Sequence, residues 1–488
     1  RSEAVRYFGA GEFSGGTLVF VSLAFSRIIR NSARFARPLK TRALIASLNS
    51  RSLRRILRRL RGAPFSWAYL GQSVVEFHRA RLTFQGQGTH LDTTKEFHQA
   101  AEDLRESYLT YLYEISRQLN SLRWWITTVS YRNGYASKTL QRLCYLKVAL
   151  ELVRTWEGPE TLVLVVDKTT CRALELNLSK NGVAGVQALA LGNFSPWVPV
   201  GDIARMLVHR AFFLYRETYR LFQSRWMVPR PYRPTEPTTL LISYATPTNL
   251  WQEGEFYQSF FGDLASRLGK LGYCLAVAPM ILRQVRYKEA LRRLRDASLP
   301  ILVPHRYLGF LDLIRAAVTT CAKPPLPRFI PPLAGMDIGI LIQQELRSYW
   351  VSNWAADVLL MATLVRRWSA LGFSFSRIIY IYENQPWERA LCWSVRRFLP
   401  ETALVGYQHS GVPRLLMNFF LAPGGEKGAP LPDRVVTVGR HTARLLSSDG
   451  YEPGSVRIGG ALQMRALLGT RVQGRRPPGP GDTPTVLV

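Results

Sequence analysis

The segment Tyr382-Glu383-Asn384-Gln385-Pro386-Trp387-Glu388-Arg389 gathers two carboxylates, two side-chain amides and an indole. A carboxylate held beside a hydroxyl takes its proton as a general base when its pKa suits. The segment Gly406-Tyr407-Gln408-His409-Ser410-Gly411 adds an imidazole flanked by an amide and a hydroxyl. Imidazole acts as acid, base or phosphate-oxygen donor near neutral pH. We read Glu383, His409 and Glu388 as candidate catalytic groups. Asn384, Gln385, Trp387, Gln408 and Ser410 are candidate substrate contacts. A structural reading stands beside each: a carboxylate in a first helical turn is favoured by the dipole alone, and a lone histidine is often structural. A third segment, YATPTNLWQEG over Tyr244–Gly254, supplies Asn249 and Trp251 as a further amide and an aromatic platform.

Each segment follows an apolar run that reads as a buried strand, the run being what would position it. Strands are expected at Thr239–Tyr244, Tyr273–Ala278, Pro300–Val303, Arg377–Tyr382, Thr402–Tyr407, Arg434–Val438 and Ser455–Ile458. Helices are expected between most of them, at Phe256–Leu271, at Tyr287–Ala297 and over a long stretch from Gly339 to Ala370. This alternation predicts a doubly wound, Rossmann-like α/β lobe over 238–470, and ligands bind such sheets beyond the carboxyl ends of the strands. Upstream, 65–230 reads as mostly helical. It holds a helix from Glu96 to Asn120, the Trp124-Trp125 pair as core, a first α/β unit of strand Thr161–Val166 and helix Thr169–Leu178, and a basic helix from Arg205 to Arg225. That last helix is either surface-binding or core. The proline-rich stretch Val228–Pro237 marks a boundary. Residues 471–488 read as a linker and the opening strand of a further lobe, so the sequence is expected to be a fragment.

The chain has 488 residues and a formal net charge of +30. An apolar fraction of 47% excludes a wholly disordered polymer. Its five scattered cysteines form no CxxC pair, which argues against a structural zinc site or a disulfide framework. No apolar run is long enough for a transmembrane helix. No acidic residue occurs from Phe13 to Val75, and 1–64 reads as a basic arm. Within Arg51–Arg61, Leu53, Ile56, Leu57 and Leu60 keep helical spacing while arginines fill the rest. Such a helix predicts a membrane-surface element, with Arg54, Arg55, Arg58 and Arg59 facing an anionic leaflet. A nucleic-acid partner is disfavoured, because no recognition motif accompanies the patch.

Neither a P-loop, an HExxH pair, a strand-borne GxGxxG nor a kinase signature is present. What is present, in order, is FFGDL at Phe260–Leu264, IYENQPWERAL at Ile381–Leu391, GYQHSGVP at Gly406–Pro413, LPDRVVTVG at Leu431–Gly439 and GYEPGSVRIGGAL at Gly450–Leu462. This order resembles bacterial surface-carbohydrate biosynthesis proteins of the GT-B glycosyltransferase type, distantly similar to capsule and lipopolysaccharide Kdo transferases. The resemblance spans roughly Glu96 to Leu462 and rests most on YENQPWE and QHS. It implies an acceptor-side lobe here and a donor lobe largely beyond Val488. It also implies no metal or other cofactor, with a nucleotide-sugar as donor substrate and a lipid-linked or glycan acceptor. The implied setting is the inner face of the cytoplasmic membrane, and the fragment alone would be inactive. A non-catalytic, membrane-peripheral glycan-binding assembly protein of the same pathway is the alternative.

Overall fold

A computed structural model describes residues 43–47, 50–182, 185–189, 200–228, 231–246, 260–295 and 297–464. They divide into two compact units. One takes its described residues from Arg1–Ser107, Arg132–Pro196 and Phe329–Glu345, the other from Tyr108–Tyr131, Trp197–Arg328 and Leu346–Val488. Each carries its own all-parallel sheet.

The first unit holds β1 (Ala43–Ser47), β2 (Phe65–Leu70), β3 (Gly88–Leu91), β4 (Thr161–Val166) and β5 (Val186–Leu189), in the order β3-β2-β4-β1-β5. The most apolar run, TLVLVV, is the central strand, as a run buried on both faces should be. The helix Ser50–Leu60 connects β1 to the parallel strand β2. Its Leu53 and Ile56 are fully buried against Trp67, Phe84 and Val163, and Leu57 and Leu60 pack at the margin. This corrects two expectations. A boundary after residue 64 would cut between a crossover helix and its strand. The apolar stripe also faces the protein's own core, so it has no lipid to meet. Arg54, Arg55, Arg58 and Arg59 are exposed, as expected. The rest of the basic arm, Arg27 to Arg42, lies outside the described residues.

The second unit holds β6 (Thr238–Ala245), β7 (Leu275–Ile281), β8 (Phe375–Ile381), β9 (Ala403–Gln408), β10 (Arg434–Thr437) and β11 (Val456–Ile458), in the order β11-β10-β9-β8-β6-β7. The chain lays β7 on one side of β6 and all later strands on the other. The order therefore reverses between β6 and β8, the place where open α/β sheets leave a crevice. The expected strand Pro300–Val303 is reduced to one bridge from Ile301 to Val277. Pro304 opens a short helix directly after it, which ends any ladder. The helix expected from Phe256 is described only as Leu264–Lys270. Gly262 before it adopts a φ of +53°, and a Cβ there would lie 2.6 Å from the Leu462 carbonyl oxygen. The stretch Gly339 to Ala370 is two helices, Gly339–Val351 and Trp354–Ala370. Trp124 and Trp125 are buried, in line with a core role. Cys144, Cys171 and Cys392 are buried thiols, whereas Cys274 is exposed. Among the described residues no helix is long and apolar enough to cross a membrane.

Candidate functional site

The chain leaves β8 at Ile381 and turns through Tyr382–Gln385 into the helix Pro386–Phe398. Asn384 makes that turn with a φ of 51°, a conformation that asparagine tolerates better than most residues. It is almost fully buried, and every polar group of its side chain is used. Its Nδ2 donates to the Asn418 carbonyl at 2.7 Å, and its Oδ1 accepts from Arg389 Nε at 3.0 Å. Arg389 is buried, donates to the Ser130 carbonyl at 2.7 Å and stacks on Trp125. Asn418 in turn donates to the Glu383 carbonyl at 2.6 Å. Asn384 is thus a scaffold for Glu383, where a substrate-binding amide was expected.

Glu388 has the same character. It sits in the first turn of its helix, is fully buried, and accepts the Glu383 amide at 3.1 Å on each carboxylate oxygen. Gln385 donates to Glu383 Oε2 and accepts from Trp387 Nε1 at 3.1 Å. Trp387 Nε1 also donates to Tyr244 Oη at 3.0 Å, and its ring is largely buried. The indole is a wall between β6 and β8, not an open platform. Asn249 and Trp251 lie outside the described residues.

What remains turned toward the strand ends is Glu383 with His409. The chain leaves β9 at Gln408, so His409 is the first residue beyond the strand. Glu383 Oε1 lies 3.7 Å from His409 Nε2. Phe260 packs edge-on against the imidazole at 4.7 Å, and Gln463 donates to the His409 carbonyl at 3.0 Å. Gln408 is fully buried and donates to the Ser410 carbonyl, which uses Ser410 through its backbone. The Gln408 Oε1 and His409 Nδ1 atoms are buried without a hydrogen-bond partner among the described residues. Buried polar atoms are rarely left so, and these two lie at the carboxyl end of β9. Tyr244, Phe260 and Gln463 complete the surroundings. Tyr244 and Phe260 open segments that the sequence pointed to, but neither they nor Gln463 had been given a site role; Tyr244 lies one residue before the end of β6, at the reversal in strand order.

Electrostatics separate the two groups. Burial alone pushes His409 down to about 4, so the imidazole is neutral at physiological pH and its contact with Glu383 is not an ion pair. Burial lifts Glu383 above the usual carboxylate range, against the hydrogen bond from Gln385. Burial and the charge of Glu383 lift Glu388 well above that range, against backbone amides of the turn. The result is an accessible carboxylate of raised basicity beside a neutral imidazole, two groups able to receive a proton from a bound hydroxyl.

The same unit contains a second charged cluster that sequence reasoning missed. Glu217 is buried and lies 2.5 Å from His305 Nε2, while His305 Nδ1 meets Tyr287 Oη at 2.9 Å. Arg216 and Arg220 also pair with Glu217, and Arg216 reaches Asp357. Its six members come from four separate stretches of sequence, so no local motif announces it. Its ionised groups are paired with one another, and we read it as structural. Comparison of the chain with models of known families, with curated proteins and with solved structures finds no match.

Proposed function

We propose that this protein is a GT-B-like glycosyltransferase of bacterial surface-polysaccharide synthesis, moving a sugar from a nucleotide-sugar to a lipid-linked or glycan acceptor. The observation that carries the reading is Glu383 beside neutral His409 at the carboxyl ends of β8 and β9, with the buried Gln408 Oε1 and His409 Nδ1 lacking partners among the described residues. In this reading the Glu383 carboxylate takes the proton of an acceptor hydroxyl. The freed oxygen bonds to the anomeric carbon, and the bond from that carbon to the nucleotide phosphate breaks. His409 and Gln408 hold polar groups of the sugar or its phosphate. Peripheral attachment to the inner face of the cytoplasmic membrane belongs to the same proposal.

The test is nucleotide release from a panel of nucleotide-sugars, with and without lipid-linked and glycan acceptors. Acceptor-dependent release by the full-length wild type, donor lobe included, is expected, and Glu383→Gln in that protein should lose about 100-fold or more, the usual scale of a general base. Glycan binding with no nucleotide release by the wild type would replace the transferase with the non-catalytic assembly role.

A further inference from the structure

The helix Val200–Met227 reverses the usual arrangement of a surface helix. Its buried face includes Arg210, Glu217 and Ser224 together with Met206, Phe213 and Leu221. Its solvent face carries Val208, Phe212, Tyr215, Tyr219, Phe222 and Trp226, all more than half exposed, with Trp226 at 87%. Their spacing alternates between four and three residues. At 100° per residue these six fall within a sector of about 80° that runs from Val208 to Trp226 of the helix. Scattered exposed apolar residues are ordinary, whereas a continuous aromatic stripe is not.

The stripe ends at a basic pocket. A cavity of about 430 Å³ is lined by Arg225, Arg233, Arg306 and Arg367, together with Tyr307 and Gly309. None of the described lining residues is acidic. Arg367 Nε is held at 2.7 Å by buried Asp312, which fixes one guanidinium beside the cavity. Arg225 donates to the Leu308 carbonyl at 3.4 Å and Arg306 to the Val228 carbonyl at 2.8 Å. Arg233 is exposed. Four arginines line this one concavity, Arg367 being already paired with Asp312, and such a lining suits an oxyanion with several acceptor oxygens, because the planar fork matches phosphate geometry. Gly309 caps the helix Phe310–Thr319, whose first two residues, Phe310 and Leu311, are exposed apolar side chains beside the same pocket.

We infer that the pocket receives the phosphate headgroup of an anionic membrane lipid while the stripe on Val200–Met227 lies in the bilayer interface. Tyr and Trp are favoured at that depth, and arginine is favoured opposite the phosphates. A lipid surface supplies both an apolar layer for the stripe and phosphate for the arginines. This assignment does not rest on the sugar-transfer reading. It uses neither Glu383 nor His409, and its test reads lipid binding alone.

The test is co-sedimentation of the full chain with phosphatidylcholine vesicles and with mixed phosphatidylcholine–phosphatidic acid vesicles. The wild type should bind the mixed vesicles and leave the neutral ones. Arg225→Ala with Arg233→Ala should weaken binding about 10- to 30-fold, from the contribution of two basic residues at an anionic surface. Tyr215→Ser, Phe222→Ser and Trp226→Ser together should do the same, with thermal unfolding unchanged because all three side chains are exposed. If either multiple variant melts early, Arg233→Ala and Trp226→Ser alone supply the comparison. Equal binding to both vesicle types overturns the headgroup pocket, and undiminished binding by the stripe variants overturns the interfacial helix. Self-association lost on stripe substitution, without vesicle binding, assigns the stripe to a second copy and overturns the proposal. Inorganic pyrophosphate bound by a wild type that ignores vesicles overturns it in favour of a free phosphate ligand.

Discussion

Glu383 and Glu388 share one turn of chain, yet burial gives them different work. Glu388 is sealed in and spends its oxygens on the turn's own amides, while Glu383 keeps part of its side chain accessible beside His409. Glu388→Gln should therefore destabilise the fold by about 1–3 kcal/mol, the cost of disturbing a buried acceptor set. Glu383→Gln should leave the midpoint of denaturant unfolding nearly unchanged. In the transferase reading the rate should fall on the acid side with an apparent pKa above 4.5, the ordinary value for Glu383, because burial raises that group. His409 should contribute no inflection near 6.5, since burial places its titration at about 4. Proton NMR of its ring against pH checks this directly. Glu217 behaves in the opposite sense. Burial pushes it up, but the hydrogen bond from His305 and the charges of His305, Arg220 and Arg216 outweigh burial and hold it at about 2. Its contribution to stability is present above its unfolded value of 4.5 and is lost as pH falls toward 2. The scale is roughly 3 kcal/mol. Glu217→Gln should flatten that limb of the stability–pH curve.

Among the elements, the helix Ser50–Leu60 shows how far periodicity can be read. Leu53, Ile56, Leu57 and Leu60 predict an amphipathic helix, and the helix is there. Periodicity does not say what the apolar face meets. The short strands β1 (ALIAS) and β3 (GTHL) are too brief or too polar to announce a sheet, so the arginines dominate the reading of that region. By contrast TLVLVV and the runs that became β6, β8 and β9 were legible because they are continuous and apolar. The candidate site was legible in part for the same reason. Residues directly beyond strand ends can be found from the strands, but whether an amide faces ligand or scaffold depends on Asn418, Ser130 and Arg389, which are distant in sequence. Three substitutions, each read by denaturant unfolding, follow at this scale. Ile56→Ala should cost about 2–4 kcal/mol as a buried truncation, and Arg58→Ala should stay within about 0.5 kcal/mol. Gly406→Ala should also destabilise, and should disturb the turn after β8, because a Cβ on β9 would sit 2.9 Å from the Cβ of Tyr382.

At the scale of the whole molecule, a net charge of +30 and two parallel-sheet units frame the account. The charge has more than one destination. Part of it covers the solvent side of a crossover helix, part is neutralised in the Glu217 and Asp312 clusters, and part converges on the pocket at Arg225. Salt should therefore weaken vesicle binding while leaving the buried pairs largely intact, since exposed charges are screened far more than buried ones. Vesicle co-sedimentation across a salt series, with circular dichroism in parallel, separates the two. The central claim concerns chemistry at the ends of β8 and β9, and acceptor-dependent nucleotide release by the full-length wild type and its Glu383→Gln variant tests it most directly. The account predicts release by the wild type and loss of about 100-fold or more in a variant that melts like it. Release at an unchanged rate by Glu383→Gln would contradict it.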